Sequence, residues 1–350
     1  MASNKNQHFV PRCYLKQFSA NENRKTVNLF NLDREIIVSE APIKGQCSRS
    51  YFYGKEERLE RAIQHIEDGY ASMIEEITTF NTPVSPKNRV ILFRFFLLQQ
   101  MRTEAASRRS AQIWKETNEV LGKGKSLFTT KIKDAVMYAM KAYSEMMDYI
   151  DDLQIVLFKN RTAIPFVTSD DPAILINKWA HQSKRTRNSG IGLTAAGLIC
   201  ILPISPDVCW CAYDGGIYSI PNKKNWISIK KDADIISLNS LQHQNCFCNL
   251  YFGTISSDDI ARLHEQCKSY RPTTRHRINY AIPEEESDNY TKYTVVDPEV
   301  AQRTGEALMH AESIPIVPSK WPSFFRSRSN KYAYSNETAA GFIRRAHQET

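Results

Sequence analysis

No stretch of this sequence is apolar for long enough to cross a bilayer. The most apolar window, Val90 to Leu98, is interrupted by Arg94 and falls far short of the roughly 20 residues that a spanning helix needs. The opening MASNKNQHF lacks the apolar core of a secretory signal. Cysteine is present without a framework: eight are spread over 350 residues, so reduced thiols are expected. Cys209–Cys211 and Cys246–Cys248 form two C-x-C pairs, but they sit inside apolar runs, whereas structural zinc uses C-x₂₋₄-C knuckles at turns. Gly190, Gly192 and Gly197 match neither a P-loop nor a dinucleotide fingerprint. No internal repeat is visible. These absences point to a soluble, cytoplasmic protein with no membrane partner.

What is present is a globular composition, 42% hydrophobic and 11% aromatic, with a formal net charge of +8 and a pI near 9.0. Such a balance suits a polyanionic partner without requiring one. The charge is concentrated. Between Pro86 and Lys133, eleven Lys or Arg face only Glu104, Glu116 and Glu119.

Along the chain, Lys25–Leu32 and Glu35–Ser39 alternate around Asp33–Arg34 and predict a β-hairpin. From about Glu56 to Phe80, Leu59, Ile63, Ile66, Tyr70, Met73, Ile74 and Ile77 form one apolar helical stripe. Ser85–Pro86 is a cap and first-turn pair for a second helix, expected to run unbroken from about Pro86 to Leu121. A third helix is expected over about Ile132–Ile150. Strand texture follows at Leu153–Phe158, Ile164–Val167, Ala173–Ile176, Leu198–Pro203, Val208–Tyr213, Ile217–Ile220 and Cys246–Phe252, with a basic loop over Asn177–Gly190. Ser256–Ser257–Asp258–Asp259 starts a further helix. The expected fold is α+β, with an N-terminal β-hairpin, a central helical bundle and a C-terminal, mostly antiparallel sheet. Residues 1–271 are expected to form one domain, helical over about 55–150 and sheet-like over about 151–255 together with the N-terminal hairpin, and residues 272–350 a loosely packed C-terminal extension.

The candidates for chemistry begin with FVTSDDP, Phe166 to Pro172, where a buried strand ends in two acids and a proline. Consecutive residues of a strand face opposite ways, so only one of Asp170 and Asp171 can point into a given site; Asp170 is the preferred candidate. The competing reading is an acid capping a turn. Arg94, Gln99 and Arg102 are polar groups in an otherwise apolar helix and must find partners. A carboxylate or phosphate suits their guanidinium forks, and acids of the preceding helix such as Glu60 or Glu67 are the structural alternative. Arg109 falls between Arg94 and Arg102 in helical projection. His8 would move a proton only if it packed beside Asp170. Lys184, Arg185 and Arg187 in the basic loop are candidate phosphate contacts.

His8, Val10, Pro11, Tyr14, Leu15 and Phe18, taken with Thr168-Ser169-Asp170 and Pro172, resemble the bacterial domain-of-unknown-function family numbered forty-two thirty-eight. That family opens with H-x-V-P-x-x-Y-L-x-x-F and later carries F-x-T-S-D-x-P. Gln99, Arg102 and the run Ile201-Leu202-Pro203 also fit, over roughly residues 7 to 270. Cys13 stands where an aromatic is common and Asp171 where Asn is, which favours Asp170 as a single acid. The resemblance implies a bacterial or phage-related accessory protein of a genome-defence or toxin-like kind and carries no settled activity.

The resulting expectation is an effector acting on nucleic acid, RNA or DNA, as a phosphodiester hydrolase. Asp170, with His8 or a bound Mg²⁺ or Mn²⁺, would activate the nucleophile; Asp171 is the second acid of the pair. Arg94, Gln99, Arg102, Lys184, Arg185 and Arg187 would hold phosphate. A partner protein from the same gene cluster is also expected. The alternatives are a non-enzymatic sensor for protein or nucleic acid, and a hydrolase or transferase of a small nucleotide.

Overall fold

The computed structural model describes residues 5–55, 57–121, 131–182, 191–286, 291–304, 307–335 and 341–348. The fold is α+β. At its centre lies a five-stranded sheet in the order Trp226–Ile229, Gln154–Asn160, Val208–Tyr213, Ile199–Ser205, Ile174–Ile176. Its first pair is parallel and the others antiparallel. The two central strands are buried along their length because both faces of the sheet are covered. Leu157, Trp210 and Leu202 pack on one side with the helical bundle, and Phe158, Cys209, Cys211 and Ile201 pack on the other. Cys246 lies in a third cluster, so the two C-x-C pairs do not converge, and all eight thiols are free.

The bundle comprises Glu57–Thr78, Pro86–Arg102, Glu104–Leu121 and Ile132–Met146. Ile63, Tyr70, Met73, Ile74 and Ile77 form the buried stripe of the first helix, as their spacing predicts. The second starts where Pro86 directs it, with Ser85 Oγ accepting from Asn88 N. The helix expected to run unbroken to Leu121 is instead two helices. Thr103 adopts an extended conformation (ψ 158°) and its hydroxyl accepts from Ala106 N at 3.1 Å, so it caps the Glu104–Leu121 helix. Projecting Arg109 onto the face of Arg94 and Arg102 therefore fails.

The hairpin strands Thr26–Asn31 and Ile36–Pro42 join Asn249–Phe252 and Thr168–Ser169 in a four-stranded antiparallel sheet. The strand expected at Ile164–Val167 begins only at Thr168. The loop expected from Asn177 opens with a short helix, Lys178–Gln182. One helix, Asp232–Asn245, has no counterpart in the sequence reading; it is buried nearly all round although most of its residues are polar. Beyond residue 271 a three-stranded antiparallel sheet forms from His276–Glu286, Thr291–Val296 and Leu308–Ser313. Ile316, Phe324 and Phe325 then enter the second core. The aromatic pair covers surface that the central sheet would otherwise expose, whereas the strands Thr291–Val296 and Leu308–Ser313 stay largely exposed. Among the described residues no helix is long and apolar enough to cross a membrane.

Candidate functional site

The turn at Asp170–Asp171 is held from behind by the Asp232–Asn245 helix. Asn239, Gln242 and Asn245 recur every three residues and so share one face. Asn239 accepts from Val167 N at 3.1 Å and donates to Pro165 O at 2.9 Å. Gln242 accepts from Ser169 Oγ at 2.9 Å and donates to Pro172 O at 2.8 Å. Asn245 donates to the Asp171 carbonyl. Three side-chain amides thus replace the backbone partners that the irregular segment lacks.

The two carboxylates then diverge, as alternation requires. Asp170 turns inward and accepts from Phe247 N, Cys248 N and Asn249 N at 2.8, 2.8 and 3.0 Å. Burial pushes its carboxyl up to about 6, against the pull of those N–H groups and with a further push from Asp171. The N–H groups take up the lone pairs that a Mg²⁺ or Mn²⁺ ion would need, so the donors here do not suit a cation. Asp171, fully buried, accepts from Thr103 Oγ1 at 2.7 Å and from Arg109 Nη1 at 2.6 Å. The helix break at Thr103 is what brings this hydroxyl, and Arg109 a turn and a half later, to the acid.

On the far side of Arg109 opens a cleft of about 750 Å³ between the Glu104–Leu121 helix and the segment leading into His276–Glu286. Its cationic lining is Arg108, Arg109, Lys268, Arg271 and Arg275, with the imidazole of His276 beside them. A neighbouring cavity of about 340 Å³ shares Arg109, Arg275 and His276. Arg108 is paired with Glu104, Arg109 with Asp171 and Lys268 with Glu265. Arg271 and Arg275 have no carboxylate among the described residues. Arg271 donates to the carbonyls of Cys246 and Phe247 at 2.9 and 2.7 Å. Arg275 donates to Gln244 O and Asn245 Oδ1, and its Nε is buried with no partner. Burial, together with the charges of Arg109 and Arg271, pulls the Arg275 guanidinium down to about 10 despite the opposing influence of Asp171. At the other wall Gln112 donates to Glu116 Oε1 at 2.7 Å and His276 Nε2 lies 2.9 Å from Glu116 Oε2. Burial pushes the Glu116 carboxyl up, but these two bonds outweigh it and hold the group below its ordinary value.

The remaining candidates lie elsewhere. His8 places Nε2 3.2 Å from Lys44 O, beside Arg12, Glu67 and Arg102, and has no hydrogen bond to Asp170. Burial lowers its pKa. Arg102, completely buried, donates to Glu67 Oε1 at 2.7 Å. With its amide oxygen assigned toward Arg102, Gln99 accepts from Nε and Nη2 at 3.0 and 2.9 Å. Arg94 forms a two-pronged pair with Asp151 at 2.8 and 2.9 Å. Both arginines are thus satisfied by acids of the chain itself. Lys184, Arg185 and Arg187 lie outside the described residues. Glu35, His264 and Glu265 bring possible ligand atoms within 4.8 Å of one another. Both nitrogens of His264 are already engaged, by Glu35 and by His243, and Glu265 is paired with Lys268.

The segment Arg271–Arg277 (RPTTRHR) carries four cationic or imidazole side chains in seven residues. That density was the available signal for the cleft, but it follows the fall in apolar density that marks the expected domain end. Arg109, Gln112 and Glu116 at intervals of three and four were the matching signal on the helix.

One contact explains the opening motif. The Tyr14 hydroxyl donates to Pro203 O at 2.6 Å and lies 2.6 Å from Thr168 Oγ1, so the N-terminal motif, the TSDDP turn and the strand Ile199–Ser205 meet at a single buried oxygen. The profile of the family described as "Protein of unknown function (DUF4238)" matches residues 6–256, which takes in all three, and the chain belongs to that family. No curated protein and no solved structure matches the chain.

Proposed function

We propose that this protein binds a nucleic-acid strand in the cleft beneath the Glu104–Leu121 helix and acts on its phosphodiester backbone, in an effector role of the defence or toxin-like kind that the family resemblance implies. The observation that carries the reading is Arg275. A partly buried guanidinium beside two others, with no acid of its own and Nε unsatisfied, is unfavourable unless an anion completes the site. Asp171 acts as a positioning residue by holding Arg109 toward the same space, and Thr103 fixes Asp171. The size of the cleft also favours a second reading, a small phosphorylated ligand or nucleotide, since pockets for such ligands span about 300–1,000 Å³.

Titration of labelled RNA and DNA against the wild type, Arg275→Gln and Arg109→Gln at several salt concentrations tests both readings. For a polynucleotide, log K falls steeply and linearly with log salt, and each substitution reduces the slope by about 1. A shallow salt dependence with nucleotide binding intact selects the small ligand. Binding unchanged in both variants overturns the site.

A further inference from the structure

The cleft holds one imidazole among its described lining, and it is mounted on a carboxylate. Glu116 uses one oxygen to accept from Gln112 and the other to meet His276 Nε2, so the carboxylate is fixed at both ends. A carboxylate can only accept, which places the imidazole proton on Nε2 and leaves the Nδ1 lone pair as the base. Arg109 lies on the same helix one turn before Gln112, and Arg275 precedes His276 in the chain; both line the two cavities that His276 also lines. A base oriented by a third group, next to guanidinium forks, is the arrangement that proton abstraction beside a phosphate needs.

We propose that His276 is the general base of an RNA-specific cleavage in this cleft, positioned by Glu116 and Gln112, with the substrate's own 2′-hydroxyl as nucleophile. The proposal rests on the binding reading above. The 2′-oxygen forms a bond to phosphorus as the bond from phosphorus to the 5′-oxygen breaks. The 2′-hydroxyl proton passes to His276 Nδ1, and the leaving 5′-oxygen takes a proton from solvent water. The imidazolium then returns its proton to the hydroxide so formed. The products are a 2′,3′-cyclic phosphate and a 5′-hydroxyl. Arg109 and Arg275 bear the charge that grows on the non-bridging oxygens, and the nucleophile needs no metal-bound water.

The full-length protein is incubated in EDTA with a 5′-labelled single-stranded RNA and with the same sequence as DNA. Binding and cleavage are followed separately for the wild type, His276→Asn and Glu116→Gln, with thermal melts as the control for folding. The expected result is cleavage of RNA to cyclic-phosphate ends with DNA bound but uncut. His276→Asn should cut about a hundredfold or more slowly at unchanged affinity, and Glu116→Gln should lower kcat with little change in KM. If RNA is bound but uncut, if DNA is cut equally, if cutting needs added Mg²⁺, or if His276→Asn cuts at the wild-type rate, the assignment of His276 is overturned while the binding cleft stands. If the wild type does not bind RNA, the binding reading falls with it.

Discussion

Asp170 and Asp171 are neighbours in the chain with opposite employment, and titration separates them. The folded-state pKa of Asp170 is raised to about 6 from the 3.8 of an ordinary aspartate. Folding therefore favours its protonated form, and its contribution to stability declines as pH rises from about 4 to 6 and is level above that. Urea unfolding of the wild type and Asp170→Asn between these limits checks this: the wild type should lose ground relative to the variant as pH rises, by at most about 3 kcal/mol. A difference that grows in the opposite direction would contradict the sign. Asp171 is the partner of Arg109, whose side chain is 26% exposed. Asp171→Asn should cost about 2 kcal/mol, below the 3–5 kcal/mol of a wholly buried broken pair because water reaches the arginine. The sequence showed the pair and its alternation. It did not show which acid met backbone and which met a cation, because the three N–H donors and Arg109 come from segments some 60 to 80 residues away in the chain.

At the scale of elements, two junctions decide the geometry. Thr103 ends one helix, caps the next and donates to Asp171. Thr103→Val keeps the shape and loses both bonds; it should lower stability by about 2 kcal/mol, read as a shifted denaturation midpoint at constant m, while Thr103→Ser should retain most of it. Nothing local marked the break: MRTEAAS contains neither glycine nor proline, and the decisive partner is a distant carboxylate. The Asp232–Asn245 helix was illegible for another reason. Hydropathy patterns assume that polar faces are wet, and here Asn239, Gln242 and Asn245 are buried to serve a segment that has no ladder of its own. Gln242→Leu should cost about 2 kcal/mol by leaving the Ser169 hydroxyl without its acceptor and Pro172 O without its side-chain donor, measurable by chemical denaturation. By contrast, the hairpin at 26–42 and the stripe of Glu57–Thr78 were legible because each buries one face at its own period.

At the scale of the whole molecule, the basic bias resolves into local accounts. Arg94, Arg102, Arg108 and Arg109 are each answered by an acid of the chain, so the +8 total is a poor guide to where an anion would sit. The surplus that matters is at Arg271 and Arg275, beyond the segment where the sequence concentrates charge. The last part of the chain is structural as well. Phe324 packs against Phe158 of the central sheet with ring centroids 4.6 Å apart and planes tilted by 51°, and Arg344 is bound through Nε to Asp152 at 2.7 Å. Truncation after Ser313 should expose that face and leave Asp152 unpaired, lowering the melting temperature and raising protease sensitivity; an unaltered melt would show that the segment after Ser313 contributes nothing.

The four-stranded sheet also sets an order of events during synthesis. Its strands come from residues 26–42, 168–169 and 249–252, and Asn28 is joined to Gly253 across 225 positions. A ribosome must therefore deliver more than two thirds of the chain before the hairpin gains its inner neighbour or Asp170 finds a single N–H. Closure over such separations is slow, and until then the hairpin edge and an apolar run at Phe166–Val167 stay open to other strands. The turn behind the cleft is thus completed only once Asn249 has been made, so the proposed anion site cannot be assembled through most of translation.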